Sequence, residues 1–305
     1  MDIEQLLKEL DSAQTNEEIG RIGEEILELD SNNPYGKLAI WQSMEYEESL
    51  DSLDILKEAL DAIRAIVEAK NLTTTVDEDR DSDVYCTILM NLGFCLLARE
   101  DNEEALSVAR EFVSFDIEGL FPSRELLYIV MLSLQQYKDL LATLEASNSE
   151  SVIGEHVRAI ALLETGADEA DIRDAVIYAI SLAPDVPFFV LNLWDFPEDE
   201  EEIDEELEGS VNYSIYLTAP WSATDDRLAA ISAPTFLFGF LTERLDDEKE
   251  IQALKEGYSG VGLLPEVEAA KKRVEAMEEE LKDPDEVDAF ALAETAAILE
   301  MLFSE

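Results

Sequence analysis

The side chains best suited to catalysis are few and far apart in this sequence. There is one histidine, His156, and there are two cysteines, Cys86 and Cys95, nine residues apart in one predicted helix. Nine residues of helix rise about 13 Å, too far for a disulfide. We therefore predict that both thiols are buried in a reducing cytoplasm. His156 begins a helix in a polar segment, and pairing it with a thiol would require a cysteine to leave the apolar side of its helix. We predict no catalytic residue.

Motifs for cofactors and metals are equally scarce. Gly257, Gly260 and Gly262 form a glycine-rich turn, but no predicted strand precedes it and no phosphate-loop lysine follows, so we interpret it as a connector. One histidine and two distant cysteines lack the spacing of a zinc site. The acidic run from 198 to 208 could attract a divalent cation, but it lacks the glycine and ligand spacing of a calcium loop. We predict no cofactor, no metal and no enzymatic activity.

The spacing of small residues indicates an architecture instead. Between Tyr85 and Ile117, Leu92 and Gly93 fall in a first predicted helix, and Ala105 falls in a second, twelve positions after the glycine. Asn102 lies in the turn between them and can cap the second helix. These residues resemble the 34-residue tetratricopeptide (TPR) repeat, in which two antiparallel helices cross closely at such small residues.

Weaker copies of the helix pair flank this repeat. Apolar residues recur at spacings of three and four in the segments 3–34, 35–70, 126–141 and 157–184. The last copy ends with a small residue, Ala179, and an exit proline, Pro184. A polar loop is predicted from Asn71 to Asp83. The resemblance implies an all-α fold in which antiparallel helix pairs stack into a TPR-like right-handed solenoid.

The repeat pattern changes after residue 186. An apolar run from Val186 to Leu191 precedes the acidic segment, and a predicted helix with Tyr213 and Tyr216 leads to Trp221. With this ending, residues 85–242 resemble bacterial TPR proteins related to the suppressor-of-tumorigenicity family. Three positions depart from that family's Asn, Tyr and Leu-Leu-Gly, where this chain has Ala183, Phe189 and Val190-Leu191-Asn192. The resemblance implies a fold and no specific activity.

The C-terminal quarter predicts a helical hairpin. Apolar residues recur there at the a and d spacing of paired helices: Val267, Ala270, Val274, Met277 and Leu281. Pro284 ends that helix, and the last helix is predicted from Val287 to Phe303. The hairpin could cap the open end of the stack or form a dimer contact. We expect three regions: TPR-like repeats (1–186), a divergent acidic and aromatic extension (187–245) and the C-terminal cap (246–305).

Charge limits the partners. The chain carries 72 acids and 21 bases, a formal net charge of −51. Such a surface repels nucleic acid and anionic lipid, and the one basic run, 271–273, is followed by glutamates. The acidity can reflect adaptation to a salty cytoplasm or the attraction of a basic protein, and both interpretations stay open. Without a signal-peptide pattern or an apolar stretch of about 20 residues, we predict a cytoplasmic location and no membrane contact.

The first helix of each TPR lines a concave groove that selects the ligand. The resemblance places five side chains of this chain there: Thr87, Met90, Asn91, Phe94 and Leu97. Asn91 matches the asparagine of carboxylate-clamp TPRs, but Phe121 and Glu125 stand where the clamp has lysine and arginine. We therefore predict a non-catalytic scaffold or adaptor for an apolar or basic peptide or protein.

One alternative comes from another functional class. A structural protein could self-associate through the C-terminal hairpin and form a homodimer. Whether the chain is a monomer or a homodimer stays open at this point. It also stays open whether the hairpin covers the groove.

Overall fold

Every regular element that the structure describes is an α-helix. The computed structural model describes residues 2–75, 79–147, 150–197, 205–281 and 283–303, so most of the acidic run, 198–204, lies outside it. The chain forms two compact units, Met1–Leu134 and Gln135–Glu305. The predicted all-α class is confirmed, and the boundary between the units falls inside the region predicted to hold the repeats.

The first unit is built from helices that pack against their neighbours in the sequence. Its helices are α1 (Ile3–Leu10), α2 (Asn16–Leu29), α3 (Pro34–Gln42), α4 (Tyr46–Asp51), α5 (Leu53–Lys70), α6 (Arg80–Ala98), α7 (Asn102–Phe115) and α8 (Ser123–Ser133). Contacts join α1 to α2, α2 to α3, α3 to α5, α5 to α6, α6 to α7 and α7 to α8. In addition, α6 contacts α8, the next helix but one along the chain.

Polar residues fix where several of these helices begin. Thr15 Oγ1 accepts the Glu18 amide proton at 3.2 Å, while the Glu18 carboxylate accepts from the Gln14 amide, a reciprocal cap. Asn33 caps α3 ahead of Pro34. Asp79 Oδ1 accepts from the Asp81 amide at 2.9 Å and starts α6 at Arg80. The loop was predicted to reach Asp83, but it ends four residues earlier, at Asp79, because Asp79 caps α6.

The small residues of the clear repeat are buried. Leu92 and Gly93 are buried on α6, and Ala105 is fully buried on α7. A Cβ atom at Gly93 would collide with the Leu126 side chain, so the close approach at this glycine is to α8 rather than to α7. The predicted Asn102 cap is wrong: Asn102 is the first residue of α7, and its Oδ1 is buried without a partner in the described part of the chain.

A buried carboxylate organises the turn between α7 and α8. Asp116 is 0% exposed and accepts hydrogen bonds from the amides of Leu120 and Phe121 at 2.9 and 3.2 Å. It also accepts from Ser123 Oγ at 2.7 Å. These hydrogen bonds fix the path of the chain from the turn into α8.

The second unit begins with three helices, α9 to α11, that pack neighbour to neighbour, and it continues as a cluster around α14. Its helices are α9 (Tyr137–Ser147), α10 (Val152–Thr165), α11 (Glu169–Leu182), α12 (Val186–Val190), α13 (Glu205–Ser222), α14 (Asp225–Leu241), α15 (Glu248–Gly260), α16 (Leu264–Leu281) and α17 (Pro284–Phe303). Helix α14 contacts α11, α12, α13, α15, α16 and α17. Ala179 is fully buried on α11, and Pro184 follows the end of that helix.

Two arginines tie the helices of the second unit together. Both terminal nitrogens of Arg244 donate to Asp288 of α17, at 2.7 and 2.8 Å, and its Nε donates to Asp185 at 2.9 Å. Arg227, which is 7% exposed, donates to Glu164 of α10 at 2.6 Å. The Arg244–Asp288 pair is two-pronged, a geometry that fixes the relative position of the elements that carry it, whereas Arg227 meets Glu164 through a single nitrogen.

The apolar stripe predicted for the C-terminal hairpin is largely buried within the second unit. Helices α16 and α17 pack against each other and against α14. Val267, Ala270 and Val274 are at most 2% exposed. Met277 is half-buried, and the side chain of Leu281 lies outside the description.

One helix passes a membrane-span test by length and composition. Among the residues that the structure describes, α6 is the one helix that is long and apolar enough, contrary to the expectation that no apolar stretch reaches this length. More than half of its apolar window is buried against other helices. A buried core helix passes the same test, so α6 gives only weak support for a span.

Candidate binding surfaces

The five side chains predicted to line a groove form one half-exposed strip. Thr87, Met90, Asn91, Phe94 and Leu97 are all intermediate in exposure. All the remaining residues of α6 from Tyr85 to Leu96 are buried. Spacings of three and four residues place the five on one face of the helix. We call this face the α6 strip. In this central stretch of helix, the five predicted positions are the ones that neighbouring residues cover least.

The α6 strip is apolar with one outward acceptor. Asn91 Nδ2 donates to the carbonyl oxygen of Thr87 at 2.9 Å, and Thr87 Oγ1 donates to the carbonyl of Asp83 at 2.8 Å. Both polar side chains therefore turn their donors back onto their own helix. The amide oxygen of Asn91 accepts no hydrogen bond from the described residues, which leaves it to a ligand donor. Met90 and Leu97 supply apolar surface on either side.

His156 was predicted to lie in a polar segment at the start of a helix, but its side chain is fully buried. It sits in the second turn of α10, where its Nδ1 accepts from Trp221 Nε1 at 3.1 Å. The ring proton therefore lies on Nε2, which is buried without a partner among the described residues. Burial lowers the pKa of His156 to about 3. At neutral pH the imidazole is uncharged and shielded from solvent.

Both thiols are also unsuited to nucleophilic chemistry. Cys86 and Cys95 are buried and free. Burial, with smaller contributions from Asp116 and Asp83, raises the pKa of Cys86 to about 12. Burial alone raises the pKa of Cys95 to about 11. Since the thiolate is the reactive form, neither cysteine has nucleophilic character at neutral pH. In the described part of the chain, no three His, Cys, Asp or Glu side chains are grouped so as to hold a metal ion.

A second open surface was missed by the sequence analysis. Helices α14 and α15 of the second unit flank an apolar groove of about 690 Å³. The glycine-rich connector predicted at 257–262 is wrong, because Gly257 and Gly260 lie inside α15 and Gly262 alone is in a turn, with φ +77°. The apolar spacing of three and four along α15 was the signal for this helix. The glycines, which disfavour helix, concealed it.

Comparisons with known proteins identify no relative. No family model, no curated protein and no solved structure matches the chain. The geometry of its own surfaces therefore carries the functional argument.

Proposed function

We propose that this protein is a non-catalytic scaffold that binds an apolar or basic segment of a peptide or protein on the α6 strip. One observation carries the proposal: the face of α6 that the repeat pattern assigns to ligand binding is the half-exposed face of an otherwise buried helix. Apolar side chains around an outward amide acceptor suit a segment with apolar residues and N–H donors. The net charge of −51 favours a basic ligand over an acidic one.

The proposed architecture behind this site is a TPR-like right-handed solenoid closed by the C-terminal hairpin. Three features support it. Helix pairs such as α6–α7 and α10–α11 pack closely, and α6 also contacts α8, the next helix but one. Ala105 and Ala179, which occupy the small-residue positions of the pattern, are fully buried. The apolar stripe of α16 faces its own unit, as a capping hairpin requires.

The chemistry of the potential catalytic groups supports a binding role. A general base works best when its pKa lies near the working pH, and the pKa of His156 is about 3. The two cysteines are protonated and buried. Free thiols of this kind are also compatible with the reducing cytoplasm in which we place the protein.

Self-association through the hairpin is the less favoured alternative. Val274, a residue that would form such a contact, is 2% exposed within its own chain. A charged substitution of Val274 would disrupt folding, whereas Met277→Asp changes a half-buried position. The hairpin alternative predicts a dimer in light scattering that Met277→Asp dissociates.

The binding proposal is tested by capture from native cell extract with matched variants. Met90→Glu with Leu97→Glu places two carboxylates on the α6 strip, and Ser107→Glu adds one to an exposed position of α7. We expect wild type and Ser107→Glu to retain the same proteins. The double variant should retain them at least about tenfold less, because the carboxylates must be desolvated in an apolar contact. Equal retention by all three chains would refute binding at the strip.

A further inference from the structure

The groove between α14 and α15 has one wall of small side chains. Ala229, Ser232, Ala233 and Phe236 lie along one face of α14 at spacings of three, one and three residues. Ala229 and Ala233 are exposed, while Ser232 and Phe236 are half-buried. Small side chains allow another helix to approach closely, and Phe236 gives this wall a large apolar contact.

The opposite wall is a full stripe of α15. Leu254, Gly257 and Tyr258, with Val261 just past the end of α15, continue the helical spacing from Glu250, and Leu302 of α17 also lines the groove. Val261 is 49% exposed. Burial, and then the neighbouring Asp247 and Asp246, raise the pKa of Glu250, the carboxyl group at the start of the stripe. The groove is thus apolar along its length and carries an acid that would gain from a nearby cation.

Helix α15 lacks the packing that its neighbours have. It is the one helix in the described part of the chain without a buried residue. It has 13 residues, two of them glycines, and isolated helices of this length are marginal in water. An added Cβ at Gly257 would meet no atom within 4 Å, so the groove is open at its centre. A ligand that covers this stripe would supply the packing that α15 does not have.

None of the stretches of this sequence outside the described residues has the composition to fill an apolar groove. The longest stretch outside the described residues is 198–204, which contains one apolar residue and six acids. A second copy is disfavoured because each chain carries a formal charge of −51.

Charge around the groove selects the opposite kind of partner. The segment 225–261, which forms both walls, has twice as many acids as bases. Of those bases, Arg227 and Arg244 are held in ion pairs with Glu164 and Asp288. Lys255 lies over the ring of Phe240 at 5.3 Å. The unneutralised charge is therefore negative.

We propose that this groove binds an amphipathic helix whose apolar stripe lies between α14 and α15 and whose flanks carry lysine or arginine, one of which pairs with Glu250. Two antiparallel or parallel helices with an open apolar groove between them are a common receptor for a third helix. The site lies in the second unit, so it does not depend on the α6 strip.

Fluorescence anisotropy with defined peptides and the full chain tests the proposal. The probe is a labelled synthetic peptide of about 18 residues with a leucine stripe at helical spacing and lysines on its other faces. One matched peptide replaces every lysine by glutamate. Another keeps the Leu–Lys composition but scrambles the helical spacing, which separates groove binding from general attraction to an acidic protein.

Variants locate the binding. Gly257→Trp and Ala233→Trp fill the groove from opposite walls, and Ser259→Trp puts the same indole on the exposed, opposite face of α15. We expect the Lys peptide to bind wild type and Ser259→Trp equally, and the two groove variants at least about tenfold more weakly. Glu250→Gln should weaken binding about two- to fivefold, and added salt should remove that difference. Circular dichroism confirms that each variant is folded.

Three outcomes would overturn the proposal. The first is binding of the scrambled peptide as tight as that of the Lys peptide. The second is equal binding by wild type and both groove variants. The third is a wild-type dimer that Gly257→Trp dissociates, which would assign the groove to a second copy. None of these results bears on binding at the α6 strip, so failure of this proposal is distinguishable from failure of the proposed function.

Discussion

Acidification should destabilise the second unit through one residue, His156. The folded protein holds this imidazole neutral, with a pKa of about 3, whereas an unfolded histidine has a pKa of about 6.5. Below that value the unfolded chain binds a proton that the folded chain excludes. Stability is therefore fully present above about pH 6.5 and falls as the pH drops toward about 3. Each pH unit in this window costs about 1.4 kcal/mol, so His156 removes about 2 kcal/mol between about pH 7 and pH 5.

The assay is a comparison of urea unfolding at the two pH values for wild type and His156→Asn. Asparagine offers an oxygen to Trp221 Nε1 but does not titrate, and the many carboxylates are common to both chains, so their effect cancels. The free energy of unfolding of wild type should fall about 2 kcal/mol more than that of the variant.

Nuclear magnetic resonance gives an independent reading. Because the chain has one histidine, its imidazole signal needs no assignment. In the folded protein this signal should not titrate between about pH 7 and pH 5. A midpoint near about 6.5, or parallel pH dependence of wild type and variant, would refute the buried, neutral imidazole.

Other substitutions test the packing. Gly93→Ala should destabilise the chain by about 1 kcal/mol, because the collision with buried Leu126 outweighs the gain in helix propensity. Gly257→Ala adds the same methyl group where no atom lies within 4 Å, so it should stabilise the chain by about 0.5–1 kcal/mol. Thermal melts should show a lower melting temperature for Gly93→Ala and a higher one for Gly257→Ala. Asp116→Ala should cost about 3 kcal/mol in urea unfolding, since it removes four hydrogen bonds and leaves the buried hydroxyls of Thr75 and Ser123 without this acceptor. Arg244→Met should cost about 2 kcal/mol by the same measure, because it leaves Asp288 without its cation; an unchanged midpoint would show that the pair is not stabilising.

The spacing of apolar residues predicted the helices well, because the buried face of a helix repeats every three to four residues. The stripe of Val267, Ala270 and Val274 predicted α16, and these residues are buried. The same kind of spacing on α6 separated its buried residues from the half-exposed ones. Periodicity identifies the face of a helix that needs cover, and in these helices the neighbouring helices supply that cover.

Features that depend on distant residues were not visible in the sequence. The burial of His156 depends on Trp221, which is 65 residues away. Helix α7 begins one residue earlier than predicted, with Asp101 at the cap position, so the polar residue predicted to cap the helix lies inside it. The groove was missed for a different reason: Gly257 and Gly260 weaken the helical signal of α15, and the openness of its stripe depends on α14.

The central claim is that a partner lies against the α6 strip, and site-specific photocrosslinking tests it most directly. Benzoylphenylalanine replaces Leu97 on the strip in one full-length chain and Ser107 on the exposed face of α7 in another. Both are irradiated in native cell extract. The account predicts a discrete crosslinked protein from position 97 and none from position 107. Equal crosslinking from the two positions, or none from position 97, would contradict it.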